Sequence, residues 1–430
     1  MNPDWLTVFE ALKEVYTEGA YSNIALNEAV SHHKGCRESF VRFFAKGTLM
    51  DTIRLDYIIN RLAAKGIKGI KKRTLIILRM GVYAIDSMES VPAHAAVSEA
   101  VSLAKKTARG TDGFVNGLLR TYVREMDSFK AEDMPPDIRY SFPAPLAELL
   151  AEQYGDEAGS IMKGLSTPPP LVLRVNSLRC SRGEAIGMLE AEGIRAYAAE
   201  GSEHALIAEG SGAISTRLYR EGLCSVQSLS SIQAIEALSP RPGSRVLDMC
   251  AAPGGKSAFM AELMEGQGSI TACDIHEHRL ALIDASMRRL AAGTETGGAD
   301  RGTGIVHTRL MDGTVHDESL DESFDYVLAD VPCSGLGVIG SKPEIKYRAD
   351  IAEYPDLVRT QRAILENAIK YTAAGGRIEY STCTLNKDEN ERLVSSVVKA
   401  YSFVSIVEMR TILPYNCSVG FFYCILDKKA

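Results

Sequence analysis

Helical spacing of apolar residues dominates the first third of the chain. Apolar positions recur every three or four residues in WLTVFEAL (5–12), DYIINRLA (56–63) and TLIILRMGVYAI (74–85), a spacing typical of amphipathic helices. Little in this part of the chain alternates in the manner of a strand. The pattern predicts an all-α domain over residues 1–128, followed by a polar linker that contains two prolines.

The pattern changes between residues 141 and 225. PAPLAELLAEQYG predicts a helix that ends at Gly155, LVLRVNS alternates like a strand, and RGEAIGMLEAEGI predicts a second helix. HALIAEG and GLCSVQ predict further short strands. We therefore expect a small α+β module, of ferredoxin-like or RRM-like type, over residues 141–225.

Strands alternate with helices over residues 226–430. The predicted strands are RVLDMC, SITACDI, IVHTRLMD, FDYVLADV and GRIEYSTC, and helical patterns follow most of them. Such alternation predicts a Rossmann-like α/β domain, with a parallel sheet covered by helices on both faces. VGFFYCILDKK predicts a last, antiparallel strand, and the low-complexity stretch 292–304 predicts a surface loop.

Composition limits the kind of protein that this can be. A hydrophobic content of 46% and a charged content of 24% are ordinary for a soluble globular chain. The nine cysteines form no C-x-x-C pair, so we expect neither a zinc site nor a disulfide framework. Their odd number fits a protein of the reducing cytosol. No apolar run approaches the ~18 residues of a membrane span, and the acidic N-terminus is unlike a signal peptide. We expect a cytoplasmic protein that uses neither a membrane nor a metal.

Charge is unevenly spread along the chain. The net charge of −7 argues against general nucleic-acid binding, yet residues 57–85 contain basic residues and no acidic one. The basic residues of this segment are Arg61, Lys65, Lys68, Lys71, Lys72, Arg73 and Arg79. The run fits two interpretations, a solvated helix face and a surface that contacts phosphates.

A glycine-rich loop is the strongest chemical signal. In VLDMCAAPGGKS (246–257) an apolar strand ends at Asp248, small residues follow, and a helix begins. Glycines let a backbone approach a ligand closely, and open α/β sheets bind ligands at the carboxyl ends of their strands. The spacing is neither G-x-G-x-x-G nor that of a Walker loop, which disfavours a dinucleotide or a nucleoside triphosphate.

Acids at the following strand ends narrow the ligand. Asp274 closes the second strand and Asp312 follows the third. A carboxylate at the first position can accept both ribose hydroxyls, and one at the second can accept an adenine amino group. With Asp248 and Asp330 they form a row of acids that would repel a phosphate chain. S-adenosylmethionine fits this edge better than ATP.

Two cysteines follow neighbouring strands of the predicted sheet. Cys333 comes after the fourth strand in DVPCSG, and Cys383 ends the next in YSTC. A single cysteine is most often a small buried apolar residue, but two at functional strand ends favour catalysis. Methylation of an exocyclic amine needs no thiol, whereas carbon 5 of a pyrimidine becomes nucleophilic once a thiolate adds to carbon 6. Asp330 is the nearest candidate to contact a cytosine edge.

Three long motifs resemble those of one family, and the resemblance extends over the whole chain. DMCAAPGGKS, DVPCSGLGVIGSKPEIKY and YSTCTLNKDENE are similar to motifs of the RNA 5-methylcytosine methyltransferases, and most closely to the bacterial 16S rRNA (cytosine-5) methyltransferase B family, also called Sun or Fmu. Residues 92–120 resemble its N-terminal NusB-like RNA-binding domain. The resemblance implies methyl transfer from S-adenosylmethionine to a cytosine of 16S rRNA, or of a small-subunit precursor, by an enzyme that we expect to be monomeric.

The resemblance also implies roles for individual residues. Cys383 would be the nucleophile, Cys333 would promote release of the methylated base, and Asp330 would hold the active-site edge. Asp274 would bind the ribose and Asp312 the adenine end. The implied donor-binding residues are Cys250, Ala251, Ala252, Pro253, Gly254, Gly255, Lys256, Asp274, Asp312 and Asp330. Spacing alone does not divide the two thiol roles.

The chain departs from the family's pattern at three places, and two other functions remain open. Thr384 stands where the family usually has Ser, SKPEIKY (341–347) where it has RHPDIKW, and Val419 where it has Asp. The second departure leads us to expect a weaker grip on RNA near the active site. The alternatives are the same chemistry on tRNA, and an inert RNA-binding assembly factor.

Overall fold

The computed structural model describes residues 2–291, 303–415 and 418–430, so most of the predicted loop 292–304 lies outside the described residues. The chain forms two units. The helical unit comprises Met1–Thr167 together with Ile339–Ala349, and the sheet unit comprises Pro168–Val338 together with Asp350–Ala430.

The helical unit is built from amphipathic helices around one apolar core. Its helices are α1 (Pro3–Lys13), α2 (Ser22–His32), α3 (Glu38–Met50), α4 (Thr52–Leu62), α5 (Lys72–Ser87), α6 (Ala93–Thr107), α7 (Asp112–Glu125), α8 (Pro136–Arg139), α9 (Ala144–Tyr154) and α10 (Ala158–Leu165). Trp5, Phe44, Ile77 and Leu119 are among the side chains buried in its core. The all-α prediction for residues 1–128 is confirmed.

The packing boundary differs from the predicted start of the middle module. Residues 141–167, which carry α9 and α10, belong by their contacts to the helical unit and not to the sheet that follows. Hydrogen bonds tie this segment to the preceding helices: the Ile53 N–H donates to the Ser141 hydroxyl, and the Ser166 hydroxyl donates to the Tyr140 carbonyl. Sequence patterns show where one type of element gives way to another, but they do not show which elements pack together.

A small four-stranded antiparallel sheet opens the sheet unit. Its elements are β1 (Leu171–Val175), α11 (Arg182–Ala191), β2 (Ala196–Ala198), β3 (Ala205–Ala208), α12 (Arg217–Arg220) and β4 (Cys224–Val226). The strand order is β2-β3-β1-β4. Buried Arg174 of β1 forms an ion pair with buried Glu262 of the larger domain, which fastens this sheet in place.

A seven-stranded sheet forms the rest of the sheet unit. Its elements are α13 (Leu229–Leu238), β5 (Arg245–Asp248), α14 (Gly255–Leu263), β6 (Ser269–Asp274), α15 (Glu277–Ala291), β7 (Val306–Leu310), β8 (Phe324–Asp330), α17 (Tyr354–Tyr371), β9 (Thr372–Thr382), α18 (Glu391–Ala400), β10 (Val404–Ile412) and β11 (Phe421–Lys428). One short helix of this stretch of chain, α16 (Ile345–Arg348), belongs to the helical unit.

The topology of this sheet is that of a Rossmann-like methyltransferase domain. The strand order is β10-β11-β9-β8-β5-β6-β7, with β5 to β9 parallel and β11 antiparallel to β9. Side chains of α17 and α18 are buried on one face, and those of α13 and α14 on the other. The predicted α/β class, two-sided helix cover and antiparallel last strand are confirmed, whereas β2 and β10 were not predicted.

Candidate active site

The carboxyl ends of the parallel strands place the predicted acids in a row. Along the sheet edge Asp330 ends β8, Asp248 ends β5 and Asp274 ends β6, while Asp312 lies two residues beyond β7. The strands are neighbours in that order. The prediction that these four acids share one edge is therefore confirmed.

The glycine-rich loop turns tightly between β5 and α14. Gly254 has a φ of +98°, a conformation that side chains strongly disfavour. A Cβ there would also lie 3.2 Å from the Ile283 Cα in α15. The loop is tied back by hydrogen bonds from the Ala251 N–H to the Cys273 carbonyl and from the Gly254 N–H to the Ala251 carbonyl. The tight turn leaves loop backbone at the start of α14, where a ligand can approach it.

The side chains of Asp248 and Cys250, at the end of β5 and the start of the loop, pack into the protein. Asp248 is 1% exposed and accepts a 2.6 Å hydrogen bond from the Ser257 hydroxyl in α14. Burial raises the pKa of Asp248 to about 7. Burial likewise raises the pKa of the Cys250 thiol, so Cys250 is a neutral, half-buried side chain. Asp248 thus secures the first turn of α14.

The carboxylates of Asp274 and Asp312 are oriented by local turns. Asp274 Oδ1 accepts from the His276 N–H at 3.0 Å, and Asp312 Oδ1 accepts from both the N–H and the hydroxyl of Thr314. Asp274 Oδ2 lies 3.1 Å from the Arg279 guanidinium, which also donates to the Ala252 carbonyl in the loop. Asp312 is therefore held through one oxygen, whereas both oxygens of Asp274, which is 3% exposed, have partners in the protein. Two such carboxylates beside a glycine loop fit a ribose and an adenine amino group.

Lys256 and Asp330 form a charged pair beside the loop. The Lys256 ammonium lies 2.5 Å from Asp330 Oδ2, and the Ser381 hydroxyl of β9 donates to Asp330 Oδ1 at 3.1 Å. Burial lowers the pKa of Lys256, but the attraction of Asp330 outweighs it and the net pKa is raised. Lys256 therefore stays ionised at neutral pH. The Lys256 side chain thus pairs with Asp330 at the end of β8.

A buried glutamate lies on the same face of β9. Side chains two residues apart on a strand share a face, so Glu379 lies beside Ser381. Burial raises the pKa of Glu379 to about 8, although the Lys256 ammonium and the Ser381 hydroxyl act in the opposite direction. Sequence analysis missed Glu379, and only its period-two spacing from Ser381 and Cys383 could have indicated it.

The two thiols meet where β8 and β9 end. Asp330 of β8 is paired in register with Ser381 of β9, and the Sγ atoms of Cys333 and Cys383 are 3.2 Å apart. The hydrogen bond with Cys383 and burial raise the pKa of the Cys333 thiol well above its usual range. The prediction that the two cysteines follow adjacent strands is confirmed. Asp330 and the thiols occupy one corner of the edge.

The loop that carries Cys333 is knitted to the segment around Cys383 through backbone contacts. The Gly337 N–H donates to the Cys383 carbonyl at 2.9 Å, and the Gly420 N–H donates to the Gly337 carbonyl. A Cβ at Gly337 would lie 1.8 Å from the Gly420 carbonyl oxygen. Thr384 is fully buried and its hydroxyl lies 2.7 Å from that of Ser334. The Thr384 departure thus retains a hydroxyl contact, and Val419 lies just before β11.

In the helical unit, six of the seven basic residues of the segment 57–85 are exposed. These are Arg61, Lys65, Lys68, Lys71, Lys72 and Arg73. Arg79 is different, because its guanidinium is paired with Asp56 at 2.6 Å and its side chain is 11% exposed. Arg79 therefore does not belong to the exposed basic surface.

The SKPEIKY departure lies in the helical unit, where its side chains serve packing. The Lys346 ammonium is buried and donates to the Met50 and Tyr140 carbonyls at 2.7 and 3.2 Å. Glu344 is 2% exposed and accepts from the Ser22 N–H at the start of α2. Burial lowers the pKa of Lys346 to about 7. Both side chains bond to backbone groups of the helical unit. Their contacts therefore do not support the expectation that this departure weakens RNA binding.

A Rossmann-like sheet of this strand order, with a glycine-rich loop after β5, is the fold of S-adenosylmethionine-dependent methyltransferases, and this is the class to which the chain belongs. Three family models match the chain: NusB family over residues 6–124, the RsmF/B-like ferredoxin-like domain over 142–215, and 16S rRNA methyltransferase RsmB/F over 235–423. The chain belongs to the ribosomal RNA small subunit methyltransferase B family.

Curated relatives match along nearly their whole length. The chain is 33% identical to the probable ribosomal RNA small subunit methyltransferase B of Bacillus subtilis, with 98% of this chain and 97% of the relative covered. It is 29% identical to ribosomal RNA small subunit methyltransferase B of Proteus mirabilis over the same shares of the two chains.

Solved structures share the fold. The crystal structure of PH0851 aligns with a TM-score of 0.79 at 24% identity, covering 100% of this chain and 99% of that one. A methyltransferase homologue from Pyrococcus horikoshii aligns with a TM-score of 0.59 at 25% identity, covering 68% of this chain and 97% of that one.

Among the described residues, no helix is both long and apolar enough to cross a membrane. Nor does the described part of the chain contain three or more His, Cys, Asp or Glu side chains grouped so that they could hold a metal ion.

Proposed function

We propose that this enzyme transfers a methyl group to carbon 5 of a cytosine in 16S rRNA through a covalent bond between Cys383 and carbon 6 of the base. The observation that carries the proposal is the pair of thiols 3.2 Å apart beside the Lys256–Asp330 ion pair. Amine methylation needs neither thiol, whereas carbon-5 methylation uses covalent catalysis.

The donor site is formed by the glycine loop and the two oriented acids. Residues Cys250 to Lys256 provide loop backbone, Asp274 accepts from the ribose hydroxyls, and Asp312 accepts from the adenine amino group. S-adenosylmethionine supplies an electrophilic methyl group when it is bound there. The acids suit an uncharged nucleoside better than a phosphate chain, because like charges repel.

Asp330 and Lys256 hold and polarise the target base. The Asp330 carboxylate accepts a hydrogen bond from the cytosine amino group. The neighbouring Lys256 ammonium stabilises the negative charge that develops on the ring when the Cys383 thiolate adds to carbon 6. Carbon 5 then has the electron density that it needs to attack a methyl group.

Cys333 completes the cycle at the release step. After methylation the carbon-5 proton leaves to solvent, the double bond re-forms and the bond between Cys383 sulfur and carbon 6 breaks. The Cys333 thiol, whose raised pKa keeps it protonated, donates a proton to the departing sulfur. Before the next turnover Cys383 loses that proton to solvent, and Cys333 regains one from solvent. The Sγ–Sγ distance suits this transfer.

The domains divide the work on RNA. We place a NusB-like RNA-binding domain at 1–128, a small α+β module at 141–225 and the catalytic domain at 226–430, which the family matches at 6–124, 142–215 and 235–423 support. The enzyme acts as a monomer in the cytoplasm, on 16S rRNA or a small-subunit precursor. The exposed basic residues 61–73 offer contacts to phosphates.

Tritium release from RNA carrying 5-tritiated cytosine tests this function. The proposal predicts release that depends on S-adenosylmethionine with 16S rRNA and much less with tRNA. The part of the release that depends on the donor reports methylation, because the methyl group replaces the hydrogen on carbon 5. An inert assembly factor would release none, and faster release from tRNA would assign the same chemistry to the other substrate. Bisulfite sequencing of rRNA and tRNA from a deletion strain then locates the target.

A further inference from the structure

One fully buried carboxylate contacts both cysteine loops of the active site. Glu389 lies six residues beyond Cys383 and is 0% exposed. Its two oxygens accept four hydrogen bonds, from the Ser334 N–H, the Ser334 hydroxyl, the Gln361 amide and the Asn386 amide. Buried carboxylates need such donors, because each bond left unmade costs free energy.

On the Cys333 side, Glu389 holds the residues next to the thiol in sequence. Oε2 accepts from the Ser334 N–H at 2.9 Å, and Oε1 accepts from the Ser334 hydroxyl at 2.5 Å. The Gln361 amide that donates to Oε2 also donates to the Pro332 carbonyl at 2.9 Å. The residues before and after Cys333 are therefore both fixed with reference to one carboxylate.

On the Cys383 side, the same glutamate holds the segment after the thiol. Asn386 donates to Oε1 at 3.0 Å, and the Tyr380 hydroxyl of β9 donates to the Glu389 carbonyl at 2.7 Å. Thr384 reaches Ser334 directly through their hydroxyls. Glu389 thus connects the two loops that bring the thiols to 3.2 Å.

The Glu389 carboxylate also acts on the Cys333 thiol through its charge. The four groups that donate hydrogen bonds to its oxygens are neutral: a backbone N–H, a hydroxyl and two side-chain amides. Its negative charge adds to the effects of Cys383 and burial in raising the pKa of the Cys333 thiol. The same carboxylate that places Cys333 therefore also favours its protonated form.

We propose that Glu389 is a positioning residue for the release step, because it fixes the Cys333 loop against the Cys383 loop. The proposal rests on the proposed function, since it concerns breakdown of the covalent RNA adduct. Glu389 contacts no reacting atom and acts through Ser334 and Gln361. A merely structural glutamate would stabilise the fold without affecting which step limits turnover.

Glu389→Gln in the full chain tests the proposal. An amide of the same shape replaces an acceptor oxygen with a donor, so at least one of the four bonds is lost. We expect kcat to fall about 10–100-fold, since small displacements of catalytic groups have effects of this size, with KM for RNA within about threefold. The covalent protein–RNA adduct, measured on denaturing gels, should accumulate as it does when release is slowed.

Ser334→Ala and the double variant sharpen the assignment. Removal of the hydroxyl leaves the Ser334 N–H bond to Glu389 intact, so a smaller loss is expected. In the double variant the two losses in release rate should be less than additive, because the residues share one interaction. Glu391→Gln is the matched control, since Glu391 bonds to the Thr411 hydroxyl instead, and it should leave turnover and adduct levels unchanged.

The outcomes separate the inference from the function beneath it. A wild-type enzyme that releases no tritium contradicts the proposed function. Normal tritium release by wild type and by Glu389→Gln alike, or a lower kcat in the variant with a reduced melting temperature and no adduct, contradicts the positioning role alone. Accumulated adduct at a wild-type melting temperature supports it.

Discussion

Cys333 keeps its proton at neutral pH, because Cys383, burial and the Glu389 charge all raise its pKa. A protonated thiol is a poor nucleophile, and it still has a proton to donate. This environment matches the division of roles that the family resemblance implied and that spacing alone left open. Glu389 itself could not be predicted, since nothing in KDENE indicates which distant loops a buried acid will contact.

Asp274 allows a direct test of the donor site at the residue scale. Asp274→Asn keeps the shape but loses a charged acceptor, a change worth about 1.5–3 kcal/mol for such hydrogen bonds. We expect the Kd for S-adenosylmethionine, measured by calorimetry, to rise at least about 10-fold. The control is Asp325→Asn, because Asp325 at the start of β8 forms an exposed ion pair with Arg245 of β5. Equal affinities in both variants would contradict the assignment.

Glu379 gives the sheet unit a predictable pH dependence. An unfolded glutamate ionises at about pH 4.3, whereas burial holds the proton of Glu379 to about pH 8. Between these values the folded state binds more protons, so stability falls as pH rises. The wild-type melting temperature should fall as the pH is raised from about 5 to about 8. In Glu379→Gln this fall should be smaller, by about 2–4 °C for each kcal/mol of unfolding free energy that the variant no longer loses. Part of the pH dependence should remain in the variant, because the pKa of Asp248 is also raised by burial. The same dependence of melting temperature on pH in variant and wild type would contradict the raised pKa of Glu379.

At the scale of elements, the carboxyl edge of the sheet brings together residues that are far apart in sequence. The parallel direction of the strands followed from strand–helix alternation, and this was enough to place their acids and thiols at one edge. The edge strand β10 could not, because its residues are largely exposed, a bulge interrupts its register at Ile406, and charged side chains break the apolar pattern. Edge strands carry only one paired side, so their sequences are less constrained.

Gly337 is an element-scale requirement that a substitution can expose. An added Cβ would overlap the Gly420 carbonyl and approach that of Cys383, so the Cys333 loop must move. Gly337→Ala should cost about 1–3 kcal/mol and lower kcat more than donor affinity. Gly187→Ala in α11 is the control, because no atom lies within 4 Å of its Cβ; it should be neutral or stabilising. A tolerated Gly337→Ala would show that the loop is not held there.

At the scale of the whole molecule, the chain does not divide simply in sequence order. Residues 339–349 leave the sheet unit shortly after Cys333 and join the helical unit through Glu344 and Lys346. Local patterns could not predict this, since it depends on contacts with residues about 300 positions away. The predicted classes of the helical and catalytic parts held because each follows from local periodicity.

The exposed basic surface of the helical unit should contribute to RNA affinity. Reversal of Lys71, Lys72 and Arg73 to Glu should weaken RNA binding and flatten its dependence on salt, by about 0.7–0.9 in the log–log slope per lost phosphate contact. Reversal of Arg195, Arg217 and Arg359 is the control, because each already pairs with an acid. Filter binding over a salt series decides; equal slopes in both triple variants would leave the basic surface without a role.

Adduct trapping with the two cysteine variants tests the central claim most directly. Cys333→Ala, incubated with 16S rRNA and S-adenosylmethionine, should accumulate a covalent protein–RNA complex that survives denaturing electrophoresis. Cys383→Ala should form none, because it lacks the attacking sulfur. An adduct with Cys383→Ala and none with Cys333→Ala would exchange the two roles, and absence of an adduct from both, with methylation retained, would contradict covalent catalysis.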